Sequence, residues 1–248
     1  MTLVYVFLFD IDLSKLCEAG IRVLEQISVW LIANRLSVNM QKTNFSVFSP
    51  SRKVHDFSKF NIAIKGISVA RMTSVKYLGV YIDEDMKWSE HIKHVYNCIK
   101  KFIGIFYKVR TRLPTACLKN LYFATVHPIL QYGIELYANT HKTALHDLTV
   151  LNNKILRILQ FQLNSSDTNE LYDSYNTLDV SKLHVLKILN FVYKSFYDHN
   201  NLPSVFNNYF VTNCTVHEHN TRSQSYVHLD LINSNNGGRC VKFVGAQL

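Results

Sequence analysis

At Trp88 the spacing of apolar residues changes, and that change limits what this chain can fold into. From Trp88 through Ile92, Val95, Ile99, Phe102, Ile103 and Phe106 they recur at three- and four-residue steps. That period lays one stripe of a helix against a core. Before this point the apolar runs are short and broken by turn residues. Val38 and Phe45–Phe48 read as strand, Ile62–Ile64 and Ile67–Val69 read as a hairpin about Gly66, and Ser74–Ile82 reads as one further strand. A helix from Asp12 to about Asn34 accompanies them, with Leu13, Leu16, Val23, Leu24, Ile27 and Leu31 on one face. The expected fold class is therefore α+β, with a partial antiparallel sheet carrying a packed helix, followed by an all-helical domain.

Beyond residue 86 the pattern stays helical. Pro114 is placed to start a helix bearing Leu118, Leu121, Tyr122 and Val126, and His127-Pro128 is expected to kink or end it. Leu145, Leu148, Leu151, Ile155, Ile158 and Leu159 mark another helix. Asp179 caps one more through Leu183, Leu186, Leu189, Val192 and Phe196. From residue 199 onward the sequence turns Asn-rich and less regular. The expected division is thus 1–85, 86–198 and a partly irregular tail at 199–248.

Composition restricts the function. Of the 248 residues 48% are hydrophobic and 18% charged, values ordinary for a folded chain and poor for a disordered one. Five scattered cysteines without a Cys-x-x-Cys pair argue for thiols in a reducing, intracellular compartment, cytoplasmic or nuclear, rather than for a secreted disulfide scaffold. The apolar stretch Leu3–Phe9 is too short to span a membrane and lacks the basic start of a secretory signal, so it reads as a buried strand.

The net charge of +9 is concentrated. Between Lys87 and Lys119 lie eight basic residues, Lys87, Lys93, Lys100, Lys101, Lys108, Arg110, Arg112 and Lys119, against the single acid Glu90. The segment is interleaved with Phe102, Phe106, Tyr107 and Tyr122, a mixture suited to phosphates and bases. A solvated lysine-rich helix face explains the same residues without a ligand. Two smaller groupings are weaker. Cys214, His217 and His219 lack a fourth zinc ligand at suitable spacing, and the pairs His94–Cys98 and Cys117–His127 lack a third orienting group.

Three motifs occur in order: Leu36-Ser37-Val38-Asn39-Met40-Gln41-Lys42-Thr43, then Val75-Lys76-Tyr77-Leu78-Gly79-Val80-Tyr81-Ile82-Asp83, then Trp88-Ser89-Glu90-His91-Ile92. In this order the chain resembles the second half of a reverse transcriptase (an RNA-directed DNA polymerase) from a non-LTR retrotransposon of the jockey-like kind. The resemblance implies that 1–85 is part of a palm and 86–198 a thumb. Thr2–Val6 resembles the strand after that family's aromatic-Ala-Asp-Asp box, and Asn220-Thr221-Arg222 with Phe243-Val244-Gly245-Ala246 resembles its closing segment, so truncation at both ends is expected.

What the resemblance implies about chemistry is limited. Two-metal nucleotidyl transfer needs converging carboxylates, and the box that supplies two of them in the family is absent from the sequence. Magnesium is the intact family's cofactor, and none is expected here. Asp83-Glu84-Asp85 is set aside as a substitute. Lys42 corresponds to a lysine near the departing pyrophosphate and is at most a vestigial catalytic residue. Tyr77-Leu78-Gly79 corresponds to the primer grip, where glycine permits close backbone approach and tyrosine offers a stacking face. The expected nucleic-acid contacts are Tyr77, Leu78, Gly79, Lys93, Lys100, Lys101, Lys108, Arg110 and Arg112, with no metal residue. The expected partners are RNA or DNA, bound weakly and without sequence preference, and a protein covering an exposed edge of the palm. The other reading is a helical protein-interaction unit without a nucleic-acid role.

Overall fold

A computed structural model describes residues 6–10, 12–48, 60–64, 66–163, 167–217 and 222–248, apart from the side chains of Leu13 and His199. Two compact units emerge, one comprising 1–78 with 82–86 and the other 79–81 with 87–248.

In the first unit the opening helix α1 runs Leu13–Ala33. Asp12 starts it as expected from a short acceptor at an N-cap, its carboxylate accepting from the Ser14 N–H at 2.9 Å. Gly20 lies buried in this helix, and a Cβ there would stand 3.3 Å from Ile62 Cδ1. The missing side chain is what lets the hairpin close on the helix. Ile62, Ile64 and Val69 form the small core, with Cys17, Ile21, Leu24, Phe45 and Phe60 against it.

The sheets depart from expectation. Six short strands, β1 (Asn44–Phe45), β2 (Ala63–Ile64), β3 (Ile67–Ser68), β4 (Ala70–Arg71), β5 (Ser74–Tyr77) and β6 (Val80–Asp83), form three separate two-stranded sheets among the described residues. β2 and β3 are the antiparallel hairpin about Gly66, with Ala63 opposite Ser68 and Ile64 opposite Ile67. β1 and β4 pair in parallel, Asn44 opposite Ala70 and Phe45 opposite Arg71, so a single antiparallel sheet is not formed. The chain between them is long enough for the crossover that parallel pairing requires. Ser74–Ile82 is two strands rather than one, because the backbone reverses at Leu78 (φ 45°) and Gly79 (φ 88°). Positive φ at both central residues is the pattern of a type I′ hairpin turn. Strand structure in the 38–48 region is confined to β1. Val6–Asp10 carries no strand, while 2–5, the 50–59 loop, His219 and 220–221 fall outside the described residues.

The second unit is helical. It contains α2 (Ser89–Lys100), α3 (Phe102–Val109), α4 (Thr115–Gln131), α5 (Ile134–Tyr137), α6 (Lys142–Gln160), α7 (Thr168–Tyr175) and α8 (Val180–Tyr197). A four-residue α9 (Asn213–Val216) follows, and α10 (Val241–Gln247) packs on α8. The longest core helix is α6, packed on α2, α3, α4, α7 and α8 through Leu148, Ile155, Leu156 and Leu159. The stripe from Trp88 to Phe106 is one face of two successive helices, since the intrahelical pattern breaks at Lys101. Pro128 does not end α4, which continues to Gln131. A proline costs a helix its own missing N–H and a clash one turn back. Near a C-terminus the carbonyl of Pro128 still serves, accepting from the Tyr132 N–H at 3.0 Å.

Candidate nucleic-acid interface

The basic segment folds as its spacing demands. Ile92, Val95, Ile99 and Phe106 are buried, which turns the opposite side of α2 and α3 to solvent. Lys93, Lys100, Lys101 and Lys108 are all exposed on that side. Lys100 sits beside its own helix's Tyr96, with Nζ 5.9 Å from the ring centre. Arg112, past the end of α3, is also exposed. The four lysines and Arg112 thus form a ribbon of cations along a core-anchored helix pair and just past its end.

Arg110 differs from its neighbours. It is half-buried, with its guanidinium 4.8 Å from the centre of the Tyr107 ring and 5.3 Å from that of Phe161. Two aromatic faces therefore engage its guanidinium. Lys119 is likewise engaged, its Nζ donating to the Ser174 carbonyl at 3.5 Å at the end of α7.

The motif residues fall in different places. Gly79 belongs to the helical unit, where a Cβ would meet Tyr132 Cε1 at 3.2 Å. Tyr77 and Leu78 belong to the other unit. Tyr77 is half-buried, its ring edge-on to Phe7 at 5.7 Å, and Leu78 is exposed. Lys42 is exposed in a turn where its N–H donates to the Asn39 carbonyl at 3.1 Å. Of Asp83-Glu84-Asp85, Asp83 is buried and Glu84 pairs with Arg71 at 2.5 Å. Among the described residues no group of three His, Cys, Asp or Glu side chains can hold a metal ion. Cys214 and His217 are both exposed, the thiol 2.9 Å from Thr212 Oγ1.

Sequence reasoning set the pair His94–Cys98 aside and did not join His91 to it. On α2, His91, His94 and Cys98 stand three and four residues apart and line a cleft of about 310 Å³ together with Gly79, Pro128 and Tyr132. The His91 ring is 2% exposed, and its Nδ1 accepts from the Tyr81 N–H at 3.3 Å. Burial, with His94 nearby, lowers the His91 pKa from 6.5 to about 4. His94 lies 4.9 Å from the Tyr81 ring, and its Nε2 is 3.7 Å from Cys98 Sγ. The spacing His-x-x-His-x-x-x-Cys was the available signal. It stayed silent because only the fold adds Gly79 and Tyr132.

A basic helical surface in one unit and short sheets in the other are compatible with many nucleic-acid proteins, and one comparison gives a distant, partial similarity. Over 99 residues the chain is 26% identical to the RNA-directed DNA polymerase from mobile element jockey of Drosophila melanogaster. The matched stretch is 39% of this chain and 11% of that protein's length. This distant, partial similarity supports a relation to reverse transcriptases of retrotransposons. No family model matches the chain, and no solved structure does. Among the described residues no helix is long and apolar enough to cross a membrane.

Proposed function

We propose that this chain is a retrotransposon-derived reverse transcriptase fragment, with 1–85 palm-derived and 86–198 thumb-derived. Its helical unit holds RNA or DNA weakly and without sequence preference. The observation that carries this reading is the exposed ribbon Lys93, Lys100, Lys101, Lys108 and Arg112 on helices whose other faces are buried. Cations fixed on a rigid support neutralise phosphates and release counterions, which drives sequence-tolerant binding. The similarity to a polymerase of a mobile element makes nucleic acid the natural polyanion.

The test is a salt titration of wild type and a Lys100→Gln, Lys101→Gln, Lys108→Gln variant on single-stranded and duplex probes. Each lost phosphate contact flattens the log–log salt slope by about 0.9 on duplex DNA or about 0.7 on single strands. Affinity should fall alike for all sequences. Equal, poor binding by both proteins at low salt would assign the ribbon to solvent and favour a protein-interaction unit.

Primer extension by this chain alone is not part of the proposal. The sequence contains no Ala-Asp-Asp box, and its described acidic residues do not converge. A primed template with Mg²⁺ or Mn²⁺ should therefore stay unextended, and extension abolished by a chelator would overturn this point.

A further inference from the structure

Helix α8 leaves an apolar face open to solvent. Leu186, Leu189, Tyr193 and Tyr197 follow one another at three- and four-residue steps, which sets them in one stripe along the helix. They are exposed by 41%, 42%, 61% and 76%. The two tyrosine rings stand 5.0 Å apart at the C-terminal end of the stripe. One solvated apolar side chain is ordinary, but a contiguous stripe marks a surface that meets a partner. Leu189 also lines a cleft of about 660 Å³, together with Val192, Val227 and Leu229. Gly245 of α10 lines it too, and a Cβ there would stand 2.9 Å from Val192 Cγ2, so α10 sits close on α8. Stripe and cleft therefore meet at Leu189.

The charge around this surface has one sign. Lys182, 3.8 Å from the Asp179 cap, heads the stripe four residues before Leu186. Lys187 and Lys194 lie two helical turns apart, each next in sequence to a stripe residue. Between Asp179 and Asp198 the helix carries no acid. No Asp or Glu side chain lines the cleft, which includes His217 and His228 instead. Asp230, next after Leu229, is paired with Lys242 at 2.6 Å. We propose that the α8 face and its cleft dock an amphipathic helix of another protein, with apolar residues at three- and four-residue steps and Asp or Glu flanking them. This goes beyond the nucleic-acid reading, since it uses a different helix from the lysine ribbon. Leu186, Leu189 and the valines of the cleft give a phosphate backbone nothing, whereas a helix laid along α8 buries them. Lysines edging such a strip steer and orient an acidic partner. A second copy meeting α8 with its own α8 would set lysine against lysine, which disfavours self-association through this face.

The experiment is fluorescence anisotropy of the whole chain with a labelled peptide as long as α8, bearing leucines at three- and four-residue steps and glutamates between them. Its controls are a scrambled peptide of the same composition and a version with lysine in place of glutamate. Wild type should bind the ordered glutamate peptide on the order of tenfold more tightly than the scrambled one. Leu186→Ser and Tyr193→Ser, both at exposed positions, should each remove most of that preference without moving the thermal melt. Lys194→Glu should weaken the glutamate peptide and tighten the lysine peptide, a reversal that a loosened fold would not give. Equal binding of the ordered and scrambled peptides, or binding of neither, overturns the proposal. Dimerisation of wild type that is lost in Tyr193→Ser would make a second copy the occupant and overturn it. Loss of oligothymidylate affinity in Tyr193→Ser, with peptide binding unchanged, would make the face a base-stacking surface and overturn it too. The lysine ribbon is tested on separate variants, so either reading can fail without the other.

Discussion

The Tyr122 hydroxyl donates to Asn152 Oδ1 at 3.1 Å in the centre of the helical unit, where both residues are fully buried. The amide nitrogen of Asn152 in turn donates to the Tyr172 hydroxyl at 3.2 Å, and that hydroxyl donates to Asn153 Oδ1 at 2.5 Å. One amide therefore ties α4, α6 and α7 together. Replacing Asn152 by Ala opens space and strands the Tyr122 hydroxyl, at a cost of about 2–4 kcal/mol. Tyr122→Phe removes one hydrogen bond and should cost about 1–2 kcal/mol. Urea denaturation of both single variants and the double variant should show the double costing less than the sum, as expected for directly coupled residues. Strict additivity would mean that the bond contributes nothing.

The second prediction concerns acid. His91 has its pKa lowered to about 4 by burial and then by His94, against 6.5 when unfolded. His127 and His184 are shifted the same way by burial, His127 also by Lys187. The unfolded chain binds more protons than the folded one between these limits, so stability falls as pH drops from 6.5 towards 4. Each such histidine contributes a slope of at most about 1.4 kcal/mol per pH unit in that window. Replacing His91 by Asn, which keeps an acceptor for the Tyr81 N–H, should flatten the slope by up to one proton. The measurement is urea stability at pH 7 and pH 5 for both proteins. An unchanged difference would mean that His91 titrates normally.

The turn between β5 and β6 gives a prediction in the stabilising direction. Leu78, at φ 45°, occupies a backbone region that costs an ordinary side chain roughly 1–2 kcal/mol. It is exposed, so little packing is lost on changing it. Leu78→Asn creates the Asn-Gly pair favoured by type I′ turns and should stabilise by about 0.5–1 kcal/mol. Gly79→Ala should do the opposite, combining a φ of 88° with a Cβ only 3.2 Å from Tyr132. Thermal melts of the two variants should move in opposite directions.

How much of this was legible depended on periodicity. The helices α2, α3 and α6 follow the spacing of Trp88–Phe106 and Leu145–Leu159, whereas α8 forms where expected but leaves Leu186 and Leu189 exposed and buries Val180, Leu183 and Ile188 instead. Asp12 and Asp179 carry caps that short acceptors announce. The β5–β6 turn was not legible because Leu78 is no turn former, so nothing local marked the reversal. The short strands offered too few residues to reveal direction, hence the unexpected parallel pairing of β1 with β4. Helix α7 is only eight residues and rich in polar side chains, although Asp167 followed three residues later by Glu170 has capping-box spacing. Nothing in the sequence singles out Asn152, since only the assembled core shows the two tyrosines that satisfy it. The lysine ribbon was legible from charge and period together, but the cleft beside it required chain brought in from α4 and the turn at Gly79.

The final prediction separates Arg110 from the other cations of the segment. Charge counting groups it with Lys93, Lys100, Lys101, Lys108 and Arg112, yet its guanidinium stands over both Tyr107 and Phe161. Cation–ring contacts contribute from about 0.5–1 kcal/mol at exposed sites to about 2 kcal/mol when desolvated. Half-buried Arg110, with two faces engaged, should cost about 1–2 kcal/mol of stability when changed to Gln. Exposed Lys101→Gln should leave stability within about 0.5 kcal/mol. Nucleic-acid binding should show the reverse order, with Lys101→Gln flattening the salt slope and Arg110→Gln leaving it close to wild type once folding is matched. Urea curves and salt titrations on the two single variants decide the matter. If Arg110→Gln flattens the slope as much as Lys101→Gln at full stability, its guanidinium reaches phosphate and is not held by the two rings.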